Sequence, residues 1–467
     1  MFAAPISHAQ ETSHQTVTLS PDQLRLAAEL NLRNGQPERA LAFADALLLR
    51  DPNDVTALLV RAGALRATQD YKGAQTAARA GWKLADNDGQ KYTAAVLMAQ
   101  ALSSDEKRTR AQFWLRRAAH VAPTPAHEAR AKRDFRYVRQ RNPWQTHLSF
   151  TLAPNSNINN GSSRDTSALL YQILDPFTGG EANEVELGAA SKAISGLEAG
   201  FDLQTRYRFK QTERSAHDLR LRLSYRTYEL SNSSKDDLAA EDALREAQGQ
   251  DPLDITGSDF EYGIVQLGYG YKRLRADRRG EFSLTADIGQ SFYGRERLNS
   301  YLRTSLGQSY FLSKTTKLNF GISSDLRQAQ RGSDQHLMSL SAGISRQLSG
   351  GNGIYFGASV STVNSESETL EYDEIRLRSG YVLGRRIMGT ALQFGVSTSY
   401  RDYDVSLHDP SGRRDFEIGG EITATFEQID YLGFNPTVSF TAETTDSNIG
   451  LNDVNRFGLS IGIASSF

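Results

Sequence analysis

Residues 455–467 read NRFGLSIGIASSF. Successive side chains of a strand point to opposite faces. Phe457, Leu459, Ile461, Ile463, Ser465 and Phe467 therefore share one face. Arg456, Gly458, Ser460, Gly462, Ala464 and Ser466 share the other. A strand of a soluble sandwich shows the same alternation of apolar against small or polar residues. A strand of an outer-membrane barrel must show it, because one face meets lipid and the other a polar lumen.

Similar segments run backward from this stretch, through residues 145–153, 196–209, 218–230, 262–273, 281–293, 300–312, 316–326, 335–348, 353–363, 372–383, 390–403, 415–426 and 434–444. In one of them Phe394, Val396, Thr398 and Tyr400 oppose Gln393, Gly395, Ser397 and Ser399. With the last stretch they make about fourteen strands, the even number that a closed antiparallel barrel with both ends on one side requires. Links alternate between short ones, at 314–315, 349–352 and 384–389, and a set that includes long ones, at 154–195 and 231–261. Short turns on one side and longer loops on the other are the barrel pattern. Inward positions of the second and third strands are basic (Arg206, Arg208, Arg220, Arg222, Arg226), and Glu417 and Glu421 also face inward. Such residues form either a ladder of lumenal ion pairs or a charged path for a translocating chain. The loop at 235–259 holds eight acids against two bases, and a short helix is expected at 238–248.

Ahead of the barrel, residues 20–142 carry a helical repeat. Pro21, Val55 and Gly89 lie 34 residues apart, the period of tetratricopeptide repeats. Ala27, Ala28, Ala40, Ala44, Ala62, Ala74, Ala78, Ala99, Ala111 and Ala118 take the small-residue positions, with an insertion of about three residues near 103–108 in the third copy. Such arrays bind polypeptide on a concave face. Here that face is expected to present Arg25, Glu29, Arg33, Leu59, Arg66, Leu97 and Gln100, a docking groove for an acidic client; a solvated helix face gives the same pattern. A capping helix is expected at 126–139, before Pro143 and an interfacial Trp144.

Composition bounds the alternatives. Residues 20–143 hold 21 Lys+Arg against 13 Asp+Glu, and residues 144–467 hold 32 against 41. A basic helical domain thus precedes an acidic barrel. No run of about 18 apolar residues exists, so no transmembrane helix is expected. The absence of cysteine excludes disulfides and thiolate sites and suits an envelope protein. No H-E-x-x-H, G-x-S-x-G or Walker motif is present. Neither an enzyme nor a cofactor, metal or nucleic-acid partner is expected. Residues 1–19 read as a signal-peptide remnant and tail, with Ser7-His8-Ala9 as a cleavage site.

Two stretches are more specific: Asn155-Ser156-Asn157-Ile158-Asn159 after the first strand, and Asp446-Ser447-Asn448 with Asp453 and Arg456 before the last. With Trp144, the repeat domain and the terminal Phe467, they make the chain resemble the surface lipoprotein assembly modifier family, the outer-membrane translocators of type XI secretion. The resemblance implies a periplasmic tetratricopeptide domain, a fourteen-stranded outer-membrane barrel and a barrel-assembly signal at Phe467. It implies export of client proteins, either surface lipoproteins or soluble haem-binding proteins, with barrel-assembly machinery and periplasmic chaperones as partners beside outer-membrane lipid. Asn155 stands where the family has Asp, which weakens a charge-based role there; Asn and Ser at a strand rim also cap turns. An exopolysaccharide export porin and a passive diffusion porin are the competing readings.

Overall fold

The computed structural model describes residues 18–168, 184–409, 411–432 and 434–465. The chain divides into two compact units between Asn142 and Pro143.

The first unit is seven helices: α1 (Pro21–Arg33), α2 (Pro37–Arg50), α3 (Val55–Ala67), α4 (Tyr71–Leu84), α5 (Asp88–Ser104), α6 (Arg108–His120) and α7 (Pro125–Arg141). Side-chain caps start five of them. Ser20 forms a capping box with Gln23, and Asp54, Asp70, Asn87 and Thr124 each accept from a first-turn amide. Ala28, Ala40, Ala44, Ala74 and Ala78 are fully buried, so the helices pack closely. The repeat is also written in the backbone. Gly35 after α1 has φ +73°, Gln69 after α3 has φ +69°, and Glu106 after α5 has φ +57°. These left-handed positions stop each first helix. They lie 34 and then 37 residues apart, so the inserted residues precede Glu106 and lengthen α5, which runs 17 residues against 13 for α1 and α3.

The second unit is a closed antiparallel barrel of fourteen strands. These are β1 (Trp144–Asn155), then β4 (Gly196–Gln211), β5 (Ser215–Leu230), β6 (Tyr262–Leu274), β7 (Gly280–Tyr293), β8 (Glu296–Phe311), β9 (Thr316–Ala329), β10 (Gln335–Gln347), β11 (Gly353–Ser365), β12 (Tyr372–Val382), β13 (Thr390–Tyr403), β14 (Arg413–Phe426), β15 (Phe434–Ser447) and β16 (Val454–Ser465). A two-stranded ribbon, β2 (Thr166–Ala168) and β3 (Glu184–Glu186), lies in the first long link. Helix α8 (Asn232–Ala247) lies in the second; it begins earlier than the sequence suggests because Ser231 caps it. Tight turns join strands at the rim where β1 starts, hereafter the near rim, and the long links lie at the far rim.

Leu148, Phe150, Leu152, Leu267, Leu306, Phe356, Ile375, Leu377, Phe416, Phe457, Ile461 and Ile463 are exposed on the outer wall. An apolar belt of this extent has no place in water and matches a hydrocarbon slab. Among the described residues no helix is long and apolar enough to cross a membrane; the crossing is made by strands. Neighbouring strands are paired along most of their length, for example β1 with β4 from Trp144↔Tyr207 to Asn155↔Gly196. The junction of β1 with β16 differs: among the described residues its one paired position is Asn155↔Gly458.

Candidate functional site

The lumen is built from the inward positions of strands whose outward positions are apolar, so charge collects there. Arg208 donates to Asp218 at 2.8 Å, and Arg206 lies 3.6 Å from the same carboxylate. Arg226 bridges Glu198 at 2.9 Å and Asp202 at 2.5 Å; Arg222 is 3.8 Å from Asp202, and Arg220 is 3.5 Å from Asp287. Across the lumen wall, Glu417 and Glu374 each accept from both Arg376 and Arg401, at 2.7–3.1 Å. Glu421 accepts from Thr423. Each arginine here is matched by a carboxylate: Arg206, Arg208, Arg222, Arg226 and Arg401 reach adjacent strands, Arg220 reaches from β5 to β7, and Arg376 meets Glu374 on its own strand and Glu417 on β14, so the pairs tie staves together while leaving the wall polar.

At the far rim the two motif stretches fold onto each other. Asn157 is 1% exposed. Its carboxamide donates to Gly161 O at 2.8 Å and accepts from Gly161 N at 2.8 Å, closing a small ring, and it also donates to Asn455 O at 3.4 Å. Asn159 accepts from Ile194 N at 2.9 Å and donates to Lys192 O at 2.7 Å, fastening the two ends of the first long link. Asn155 donates to Glu198 at 2.9 Å, and the Ser156 hydroxyl accepts from Phe457 N at 2.8 Å. From the other side, Ser447 donates to Asp415 at 2.8 Å, and Asn448 accepts from Arg414 N at 2.7 Å and donates to Gly412 O at 3.0 Å. Asp446 shares the outward face of β15 with Phe440 and is exposed.

The first link and the last are then joined directly. Arg164 pairs with Asp453, Arg456 meets Asn160, Ser162 donates to Gly450 O at 2.6 Å, and Leu451 N donates to the Ser167 hydroxyl at 2.8 Å. Asp453 is buried and also accepts from Ser447 N. We call this set of contacts the clasp. Beneath it lies a polar cavity of about 240 Å³, lined by Asn160, Arg401, Arg413, Asp415, Glu417 and Arg456 among others. The partners Ser162, Arg164 and Ser167 were not singled out in the sequence; their one mark is a Gly-Ser-Ser run beside the Asn-rich stretch.

Elsewhere on the far rim, Glu261 accepts from Arg295 Nε at 2.9 Å and from Thr227 at 2.9 Å. The Arg295 guanidinium holds this carboxyl down at about 2. On the near rim Trp144 stacks on Tyr207, centroids 4.6 Å apart, an interfacial aromatic pair. Phe467 lies outside the described residues.

In the helical unit the expected groove residues divide. Arg25 pairs with Asp54 at 2.8 Å and with Asp22 at 2.6 Å, and Arg33 lies 3.6 Å from Glu29. Arg66 and Gln100 are half-buried. Leu97 and Leu59 are half-buried too: Leu97 packs against the buried core that runs from α3 to α7, and Leu59 lies over Gly81 of α4.

The family model for surface lipoprotein assembly modifiers matches residues 144–467, the whole barrel. The chain belongs to the surface lipoprotein assembly modifier family. As a family member with a closed fourteen-strand barrel, it is an outer-membrane barrel translocator. Among curated proteins, none matches the chain in sequence. Solved structures resemble its parts. The type III secretion translocator chaperone SycD of Yersinia enterocolitica is 20% identical, covers 27% of this chain and 88% of its own, with a TM-score of 0.24. The COG4313 outer membrane channel of Pseudomonas putida F1 is 9% identical over 68% of this chain and 93% of its own, with a TM-score of 0.32. A loop-deletion form of OmpT from Vibrio cholerae is 9% identical over 68% and 99%, also at 0.32.

Proposed function

We propose that this protein exports client proteins, surface lipoproteins in the first place, through its barrel, with the near rim in the periplasm and the clasp at the cell surface. The helical unit receives the client in the periplasm. Transfer proceeds without nucleotide hydrolysis or covalent chemistry; periplasmic chaperones deliver the client, and barrel-assembly machinery inserts the barrel.

The observation that carries this reading is the clasp. Four of the residues that mark the family in the sequence, Ser156, Asn157, Asp453 and Arg456, are spent on tying the first far-rim link to the last link and β16. A passive porin gains nothing from a buried, multiply bonded latch at its mouth, whereas an exporter needs its exit shut between clients. The lumen itself is a wall of balanced ion pairs in place of a ring of one sign. It therefore offers a polypeptide of either charge a wetted, weakly selective surface, which disfavours a dedicated path for an anionic polysaccharide.

The test is to place the gene in a Gram-negative host lacking a homologue and to compare proteins released by surface proteolysis with and without it. At least one lipoprotein should appear on the surface only with the gene. It should fall at least tenfold when Arg25 and Arg66 are both changed to Glu, with the barrel still inserted. No change in the surface proteome refutes export; display unaffected by the double change refutes docking at this groove.

A further inference from the structure

Thirteen of the fourteen barrel junctions are laddered. Even β12 with β13, among the shorter ones, pairs continuously from Asp373↔Asp402 to Val382↔Gln393. Among the described residues, the β1–β16 junction is paired only at its far-rim end, through Asn155↔Gly458 and the bond from Ser156 N to Phe457 O at 3.2 Å. Below that point the described parts of the facing β1 and β16 edges carry backbone groups with no cross-strand ladder, at membrane depth. Unpaired backbone groups are disfavoured in hydrocarbon, so this is the wall's weakest line. The edges nonetheless touch: a Cβ built on Gly462 would sit 3.9 Å from the Phe150 carbonyl oxygen. The seam is shut but not zipped.

A cavity of about 400 Å³ opens at its upper end. Thr151, Ala153 and Ser460 line it from the lumenal face, and Pro154 and Leu459 from positions that share the lipid-facing side of their strands. The lining thus crosses the wall. Glu198, Tyr228 and Arg456 also line the cavity, so its far-rim end carries charge; below them the lumenal positions of the seam, Ser149, Thr151 and Ala153 on β1 and Gly458, Ser460 and Gly462 on β16, are small and uncharged.

We propose that the β1–β16 seam is a lateral slot joining lumen and hydrocarbon, and that its occupant is an acyl chain, the anchor of a lipidated client; this rests on the export reading above. An added polypeptide strand would need the two edges about 9–10 Å apart, and they are in contact. An acyl chain asks for no hydrogen bonds, and in the slot it keeps its methylenes out of lumenal water while the polypeptide occupies the lumen.

The chain has no cysteine, so single-cysteine variants report cleanly. Thr151→Cys at the seam, Ser339→Cys on the lumenal face of β10 and Phe356→Cys on the lipid face of β11 are labelled with NBD. Each is reconstituted in phosphatidylethanolamine–phosphatidylglycerol vesicles containing a 12-doxyl acyl lipid, and heat-modifiable gel mobility verifies folding. The seam label should be quenched at least half as strongly as the Phe356 label, and the Ser339 label not at all; quenching at Thr151 no greater than at Ser339 overturns the slot. In cells, an oxidised Ala153→Cys/Ser460→Cys pair should cut display of the acylated client at least tenfold, reversibly on reduction, and spare the same client made without its lipidation cysteine. Equal display of both forms by the locked barrel also overturns the slot. Loss of display by the unlocked protein counts against export, a result the vesicle measurement does not depend on.

Discussion

Asn157→Ala should loosen the clasp without unfolding the barrel. The wild-type carboxamide bonds both the N–H and the C=O of Gly161 at 2.8 Å and reaches Asn455 O. Truncation strands the half-buried Gly161 carbonyl, while its N–H keeps a second acceptor in Asn159 at 3.2 Å. A stranded acceptor away from water costs about 1–3 kcal/mol, the lower part of that range for a half-buried one, and each lost neutral bond about 1, so clasp opening should become easier by about 2–4 kcal/mol. At about 1.4 kcal/mol per factor of ten, the open population rises about 30- to 1,000-fold. Hydrogen exchange followed by mass spectrometry reads this directly, as faster exchange in the peptide covering 156–165 and, because the two links are bonded together, in the peptide covering 448–456. Strand peptides of β9–β11 should not change. Asn157→Asp, which keeps the acceptor for Gly161 N and loses the donor, should fall between. Unchanged exchange at 156–165 refutes the assignment of Asn157 as the centre of the latch. Acceleration there with none at 448–456 refutes the coupling.

Three further outcomes follow from other parts of the molecule. Glu261 has a folded pKa of about 2 against an ordinary 4.5, so its contribution to far-rim order is complete above pH 4.5 and is lost as pH falls toward 2; in Arg295→Gln the loss of exchange protection around 256–262 should begin at higher pH. Gln69 holds a left-handed backbone at a position where the first repeat has glycine. Gln69→Gly should therefore stabilise the helical unit by about 0.5–1 kcal/mol, the relief of left-handed strain less the entropy gained by the unfolded chain, seen as a raised calorimetric transition. Asp54 caps α3 through Ala57 N at 3.0 Å and pairs with Arg25. Asp54→Ala should lower that same transition by about 2–4 kcal/mol, a lost cap plus a lost charged hydrogen bond, and leave barrel melting unchanged.

Period-two alternation made the faces and the number of strands legible, because lipid outside and water inside leave a strand no other pattern. Strand ends were less legible. β8 starts at Glu296 and β9 runs to Ala329, beyond the apolar belt, where both faces are wet and alternation no longer marks a strand. The bulges between Arg208 and Lys210 and between Ser291 and Phe292 leave no trace in composition, since a bulge is a backbone event. Leu59 and Leu97 sit at groove positions by spacing, and each is half-buried against a neighbour that spacing does not reveal, Gly81 for Leu59 and the helical core for Leu97. The Asn and Ser residues of 155–159 and 446–448 were readable as turn formers. Their partners were not, because Ser162 and Gly450 are 288 residues apart and nothing local records such a contact.

That separation explains why the clasp and the seam occur together. Twelve of the barrel junctions form between consecutive strands, and β1–β4 joins across one long link, whereas β1–β16 closes almost the whole barrel sequence. By loop-closure entropy, bringing together groups 289 residues apart, as Arg164 and Asp453 are, costs about 3 kcal/mol more than closing a ten-residue hairpin. A seam with one bridged position cannot offset this alone, and the far-rim contacts supply the remainder from outside the membrane, where they can break without exposing backbone to lipid. The arrangement separates two tasks. The clasp holds the barrel shut, and the seam is left weak enough to admit an acyl chain, which in lumenal water would forgo about 0.8 kcal/mol per methylene, or roughly 11 kcal/mol for fourteen. It follows that releasing the latch should open the slot. Asp453→Asn removes the charge that Arg164 pairs with while keeping the side chain's volume. It should increase doxyl quenching of a label at Thr151→Cys and leave Ser339→Cys dark. Faster exchange at 156–165 with quenching unchanged would mean that the clasp gates only the mouth of the lumen, and that the seam is governed from somewhere else.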